Sequence, residues 1–306
     1  IYSSIYKRRG KMTNLQQLLA LHYAYPLTLN KLQRLLLIIK TLDELEFISA
    51  SELAQIIGTK ELTARTVKAT YQKVYQINLM QHYEAAGIEV IMYTSDLYPK
   101  QLLQLSNPPT VLYVKGDSQL LMAQRKIACI GSREATSYSA EAFKRIIPPL
   151  VESQCVIVSG LAKGADTLAH RATIYYGGKT IAVLGHGFQT IYPKSNEVLA
   201  QHIAKHHLLL SEYPPHIGPK KHHFPMRNRI ISGLSDALVV TEAALRSGTL
   251  ITTELALEQG KDVFAVPGPI TSIQSAGTNN LIKEGAIPIW NGYQIVQELQ
   301  MFQMKN

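Results

Sequence analysis

The chain has 306 residues, 46% hydrophobic and 17% charged, which excludes an intrinsically disordered polypeptide and allows a large core in two domains. Its 31 Lys and Arg against 22 Asp and Glu leave a net charge of +9, which suits a polyanionic partner without specifying one. No apolar run approaches the ~20 residues of a bilayer span, and the polar, basic residues 1–11 lack a signal-peptide core, so no membrane role is expected.

Residues 1–12 read as an extension or disordered segment, with Met12 a candidate start. Residues 13–87 read as a small all-α domain. Leu15, Leu18 and Leu19, then Leu32, Leu35, Leu36 and Ile39, recur at helical spacing. Ser51–Gly58 reads as a short helix closed by its glycine, and Leu62–Ala86 as a longer one. Pattern alone assigns this domain no function beyond a structural or pairing module. Residues 88–125 form a connector, with turn signals at Tyr98-Pro99 and Asn107-Pro108-Pro109 and a candidate edge strand at Val111–Val114.

From 126 to 306 the pattern changes. Apolar runs at Ile127–Ile130, Cys155–Val158, Thr180–Leu184, Leu208–Ser211, Ala237–Thr241, Val263–Val266 and Ile287–Trp290 alternate with helical segments, the last at Tyr293–Leu299. Strands that alternate with helices and are apolar throughout imply right-handed crossovers and a doubly wound α/β sheet, mostly parallel and covered on both faces. Cys129 and Cys155 fall in two of these runs and read as small core residues rather than a disulfide, so a cytoplasmic location is expected.

In such a sheet ligands bind beyond the C-terminal strand ends. The segments that follow the runs are Gly131-Ser132-Arg133, Ser159–Asp166, Gly185–Phe188, Glu212–Arg229, Glu242–Thr249 and Pro267-Gly268. They gather glycine turns and helix starts, whose amides suit anions, with Arg133, Lys163, Lys221, Arg227 and Arg229, whose cations grip phosphate. Phe224 lies between Lys221 and the Arg-Asn-Arg run, and Phe188 and Tyr192 follow the third strand. Rings beside phosphate-gripping cations suit unpaired bases; the alternative is that Phe224 anchors its loop in the core. Arg229 equally suits a buried pair with Glu242 or Glu254.

A dinucleotide cofactor fits poorly, since the first turn is not G-x-G-x-x-G and the second strand ends without a ribose-binding acid; no G-x-x-x-x-G-K-[ST] loop is present. No cofactor is expected. No hydrolytic set stands out either, because Ser159 lacks a nucleophile elbow and His170 reads as a packed helix residue. His202, His206 and His207 have a spacing a metal can use but read as an exposed helix face, and no metal site is expected.

At this point the motifs resemble a family. Gly131-Ser-Arg133, Ser159–Asp166, Phe224–Ser232, Ser247–Thr252 and Val266-Pro-Gly268 are similar to those of the DprA/Smf family, the DNA-processing proteins of bacterial natural transformation. The linker motifs Tyr98–Leu102, Asn107–Pro109 and Leu112–Gly116 are similar too, and the helical domain loosely resembles the family's SAM-like domain. The resemblance implies an extended Rossmann-like fold and a non-enzymatic mediator. Such a protein binds and protects single-stranded DNA, loads the RecA recombinase and works as a homodimer through the Rossmann-like domain. It implies DNA-binding roles for Gly131, Ser132, Arg133, Lys163, Lys221, Phe224, Asn228 and Arg229. Asn279 and Ile282 are candidate dimer residues, with a core-facing position the alternative for the apolar pair Leu281-Ile282. The winged-helix module of some members is expected to be absent. The competing function is a nucleotide-processing enzyme of the lysine-decarboxylase-like phosphoribohydrolase type, whose glycine-threonine turn and glutamate Gly248-Thr249 and Glu254 partly resemble.

Overall fold

The computed structural model describes residues 15–303; the expected extension over residues 1–12 lies outside them. The chain divides into two compact units, one of residues up to 93 with 106–111, the other of residues 94–105 with 112 onward. The connector expected over 88–125 is shared between the two.

The first unit is helical: α1 (Leu15–Ala24), α2 (Leu29–Ile38), α3 (Ala50–Ile57), α4 (Glu61–Val74) and α5 (Leu79–Ala85), followed by β1 (Glu89–Met92). Leu18, Leu19, Leu32, Leu35, Leu53 and Val67 form part of its core. A capping box opens α3: Ser49 Oγ accepts the Glu52 N–H at 3.1 Å and Glu52 accepts the Ser49 N–H at 2.7 Å. Gly58, at φ +63°, closes it. The single helix expected over 62–86 is two. Asn78 Oδ1 accepts the Gln81 N–H at 3.2 Å, and this local cap starts a new helix in place of continuing the old one.

The second unit is built on β2 (Val111–Gly116), β3 (Lys126–Ile130), β4 (Val156–Ser159), β5 (Thr180–Leu184), β6 (Leu208–Ser211), β7 (Ala237–Val240), β8 (Asp262–Ala265) and β9 (Ile287–Pro288). Their order across the sheet is β2-β6-β5-β4-β3-β7-β8-β9. All neighbours run parallel except β2, which pairs antiparallel with β6, Tyr113 opposite Ser211. The helices are α6 (Ser137–Glu152), α7 (Ala165–Tyr175), α8 (Glu197–His206), α9 (His223–Leu234), α10 (Gly248–Glu258), α11 (Ile273–Lys283) and α12 (Gly292–Gln303). Phe143, Ile146, Ile147 and Leu150 of α6, with Ile295 and Val296 of α12, pack on Ile127, Cys129, Ile157, Val239 and Phe264. Each such side chain contributes roughly 1.5–3 kcal/mol through burial. Cys129 and Cys155 are buried free thiols. Among the described residues no helix is long and apolar enough to cross a membrane.

Strand β3 pairs with β4 on one side and β7 on the other, Ala128 opposite both Val158 and Leu238. The chain winds outward in both directions from this strand, the switch point beyond whose C-terminal end a crevice forms in such sheets.

Candidate nucleic-acid interface

The turns after β3 and β4 meet at this crevice. A Cβ on Gly131 would lie 2.7 Å from Ala165 Cβ and 2.9 Å from Thr241 Oγ1; one on Gly164 would lie 2.3 Å from the Ser132 carbonyl oxygen. Gly164 also sits at φ +73°, where a side chain is strained. The Ala165 N–H donates to Ser132 O at 3.0 Å and fastens one turn to the other.

Several amides of these turns, which the sequence suggested for a phosphate, already have acceptors within the protein. The Ser132 N–H donates to Glu242 O at 2.7 Å, and the Glu134 N–H to Ser132 Oγ at 3.0 Å. The N-terminus of α6 holds the protein's own anion. Glu242 accepts the Thr136 N–H at 2.8 Å, the Thr136 hydroxyl at 2.8 Å and the Ser139 hydroxyl at 2.7 Å. In the second turn Asp166 Oδ2 accepts the Gly160 N–H at 3.1 Å and the Ala162 N–H at 3.2 Å. Burial raises the Asp166 pKa, while Arg227 and those two N–H groups oppose the rise. Gly131 and Ser132, expected at the DNA, pack closely in the turns: Ser132 is 8% exposed.

What faces outward is side-chain charge. Arg133 and Lys163 are exposed on the two turns, and Lys221 is exposed just before α9. The Arg133 guanidinium carbon lies 5.9 Å from the centre of the Phe224 ring, a cation–π distance. Phe224 is half-buried because Gly185 lacks a side chain: a Cβ there would meet its ring at 3.0 Å. The other neighbour of the ring is Tyr192, at 5.7 Å between centroids, itself 52% exposed. His186 holds the Tyr192 loop, accepting the Tyr192 N–H at Nε2 (3.2 Å) while Nδ1 lies 2.8 Å from Gly187 O. Phe188 turns the other way, against the core of Leu184 and Leu199.

Sequence reasoning missed one cation, Lys194. It is exposed two residues after Tyr192. Next to it the buried Asn196 amide donates to Leu161 O at 2.9 Å, Ala162 O at 3.3 Å and Thr167 Oγ1 at 2.8 Å. This bond fastens the Lys194 segment to the turn that carries Lys163. The signal was a lysine after a strand-end loop, with no glycine beside it to draw notice.

The two arginines of α9 are not among the outward charges. Arg227 is 4% exposed, and its Nη1 donates to Gly160 O and, at 2.5 Å, to Val183 O, so it binds the ends of β4 and β5 together. Burial pulls its pKa down to about 10, with Asp166 opposing and Arg133 adding to the fall. Arg229, also 4% exposed, pairs through Nη2 with Glu212 Oε2. Its expected place on a phosphate is corrected: it is a buried arginine, and its partner is neither Glu242 nor Glu254. Asn228 is half-buried and accepts the Arg227 Nε–H at 3.1 Å.

Among the dimer candidates, Asn279 clasps Gly268, accepting its N–H at 3.1 Å and donating to its carbonyl at 3.0 Å. That side chain braces the Pro267-Gly268 turn, and Ile282 is half-buried. The residues of the enzyme-like motif, Gly248, Thr249 and Glu254, all lie on α10. Thr249 Oγ1 donates to Gly131 O at 3.0 Å and Glu254 is exposed on α10. His170 Nδ1 lies 2.7 Å from Thr180 Oγ1, and burial, with the charges of His207 and Arg227, lowers its pKa to about 3. His202 and His206 lie on an exposed face, but His207 turns inward. Among the described residues no group of three or more His, Cys, Asp or Glu is placed to hold a metal ion.

The family model for DNA recombination-mediator protein A matches residues 89–300. The chain is 43% identical over 251 residues to the DNA processing protein DprA of Bacillus subtilis (strain 168), covering 81% of this chain and 84% of that one. Its structure is similar to that of DNA processing protein A from Streptococcus pneumoniae, with a TM-score of 0.78, 36% identity and coverage of 94% of this chain and 99% of that chain. It is also similar to the Helicobacter pylori DNA processing protein A, described for its single-stranded DNA binding mode. There the TM-score is 0.64 and the identity 33%, over 70% of this chain and 96% of that one.

Proposed function

This chain belongs to the DNA recombination-mediator protein A family, and from that premise we propose that it binds single-stranded DNA across the C-terminal edge of its sheet. The observation that carries the proposal is one set of side chains. Arg133, Lys163, Lys194 and Lys221 are exposed on neighbouring strand-end loops, around the Phe224–Tyr192 ring pair. Phosphates meet the four cations while an unpaired base stacks at the rings, in a mode that needs no duplex groove and reads no sequence. Asn228 and the buried Arg227 and Arg229 hold the α9 segment in place for this contact. Binding is sequence-tolerant and weakens with salt, since each neutralised phosphate releases counterions.

The fate of the bound strand is handover. A mediator keeps the strand covered and delivers it to a recombinase of the RecA class; the family resemblance supports this step, which needs no catalytic group. The homodimer through the Rossmann-like unit has support of its own. Ile251 and Leu257 of α10 are 44% and 58% exposed, and Ile270 and Ile273, just before and at the start of α11, 95% and 78%. Apolar side chains exposed in such number suit a protein contact.

The test is an anisotropy titration with a labelled oligonucleotide, single strand against duplex, at two salt concentrations. Arg133→Ala, Lys163→Ala and Lys194→Ala each weaken single-strand binding and lower the salt slope by roughly one. Wild-type affinity in all three variants sinks the assignment.

A further inference from the structure

The opposite edge of the sheet, where the strands begin, carries a cavity of about 450 Å³, a size typical of small-molecule sites. Lys126 opens β3, Asp236 precedes β7 and Lys261 precedes β8; all three line this cavity, with Lys100 and the apolar side chains of Leu121 and Met122. Three lysines and one aspartate thus line one cavity. Lys126 is 4% exposed, although a charge is costly to bury unless paired. Its ammonium has three donors, and one is taken by Ala123 O at 2.5 Å. Asp236 makes no ion pair with it. Asp236 Oδ2 accepts the Lys126 backbone N–H at 2.8 Å, and among the described residues the carboxylate joins no ion pair. Burial lowers the Lys126 pKa; Asp236 opposes the fall and the charge of Lys261 adds to it.

We propose that this cavity binds a small phosphate monoester of nucleoside-monophosphate size, its phosphate bridging the ammonium groups of Lys126 and Lys261 and its organic part against the exposed Met122. The charges match: three lysines less one aspartate leave two positive charges, and a phosphate monoester carries about −1.5 to −2 near neutral pH. The bridge supplies the buried ammonium with acceptors and relieves its repulsion from Lys261. The site lies a strand's length from the loops that carry Arg133 and Lys163, so it is independent of the DNA-binding reading.

Calorimetric titration of the full chain with deoxyadenosine monophosphate, and separately with inorganic phosphate, tests this. A background with Arg133→Ala, Lys163→Ala and Lys194→Ala silences the other edge. Saturable nucleotide binding is expected to persist there. It should weaken about tenfold or more in Lys261→Ala and in Lys126→Met, and inorganic phosphate, lacking the apolar contact, should bind more weakly than the nucleotide. Lys261 is only half-buried, so its variant stays informative if Lys126→Met fails to fold, and its single-strand DNA affinity should equal the wild type's. No saturation up to about 10 mM nucleotide, undiminished binding in Lys261→Ala, loss of binding in the triple background, or equal affinity for inorganic phosphate each overturns the proposal.

Discussion

Replacing Arg229 with methionine separates a brace from a DNA contact. The Arg229 and Glu212 side chains are 5% and 8% exposed, and Glu212 Oε1 has no partner even in the intact pair. Removing the guanidinium strands a carboxylate in the interior, which costs about 3–5 kcal/mol. At 2–4 °C per kcal/mol for a domain of this size, Tm falls by roughly 6–20 °C. Burial already lifts the Glu212 pKa against the pull of Arg229, and without the arginine it rises further. A carboxyl raised above its unfolded value stabilises below that value, and the contribution is lost as pH climbs through the folded one. The Tm deficit of Arg229→Met therefore narrows between about pH 7 and about pH 5. Adding Glu212→Leu replaces the pair with apolar groups and recovers most of the loss. Scanning calorimetry across pH reads all of this, and anisotropy reads the DNA side. A brace lowers affinity, if at all, with the salt slope unchanged. If Arg229→Met keeps its Tm and loses about one unit of slope, the buried-brace reasoning is refuted.

Further outcomes follow from the same geometry. Phe224→Ala weakens single-strand binding by about 1–3 kcal/mol, with a smaller loss for Tyr192→Ala; an equal loss on duplex would argue against stacking. Gly164→Ala forces a side chain into φ +73° and to 2.3 Å from Ser132 O, costing about 1–3 kcal/mol from backbone strain alone; an unshifted urea midpoint contradicts this. His170 is held at about 3, below its ordinary 6.5, so its contribution is present above 6.5 and lost as pH falls towards 3. His170→Gln should flatten that acid limb, and equal drops in denaturation midpoint for variant and wild type between about pH 7 and about pH 5 count against it.

The sheet was legible because its strands are apolar throughout. Thr180–Leu184 and Leu208–Ser211 were expected at the residues where they occur, and the others lie within about two residues. The split of the helix at Asn78 was not, because a cap inside a helical pattern competes with continuation by a single hydrogen bond. At the candidate interface, side-chain type pointed to the strand-end loops but not to depth. Arg133 and Arg229 look alike in sequence; one is exposed, while the other is drawn inside by Glu212, seventeen residues earlier. The partners of the turn amides were hidden for a related reason. Asp166 caps its own turn from the start of α7, but Glu242 comes from β7's end, and no local pattern announces a carboxylate folding back on a turn more than a hundred residues earlier.

Those two carboxylates have a consequence for how a strand is held. A cofactor site grips its phosphates with backbone dipoles whose positions cannot change, and so accepts one geometry. Here Glu242 and Asp166 occupy several of those dipoles, and the proposed grip rests on charges at the ends of long side chains. Such charges swing by several ångströms at small cost. On the proposed reading, the edge follows a flexible polymer whose phosphates are never evenly spaced, and releases it one contact at a time.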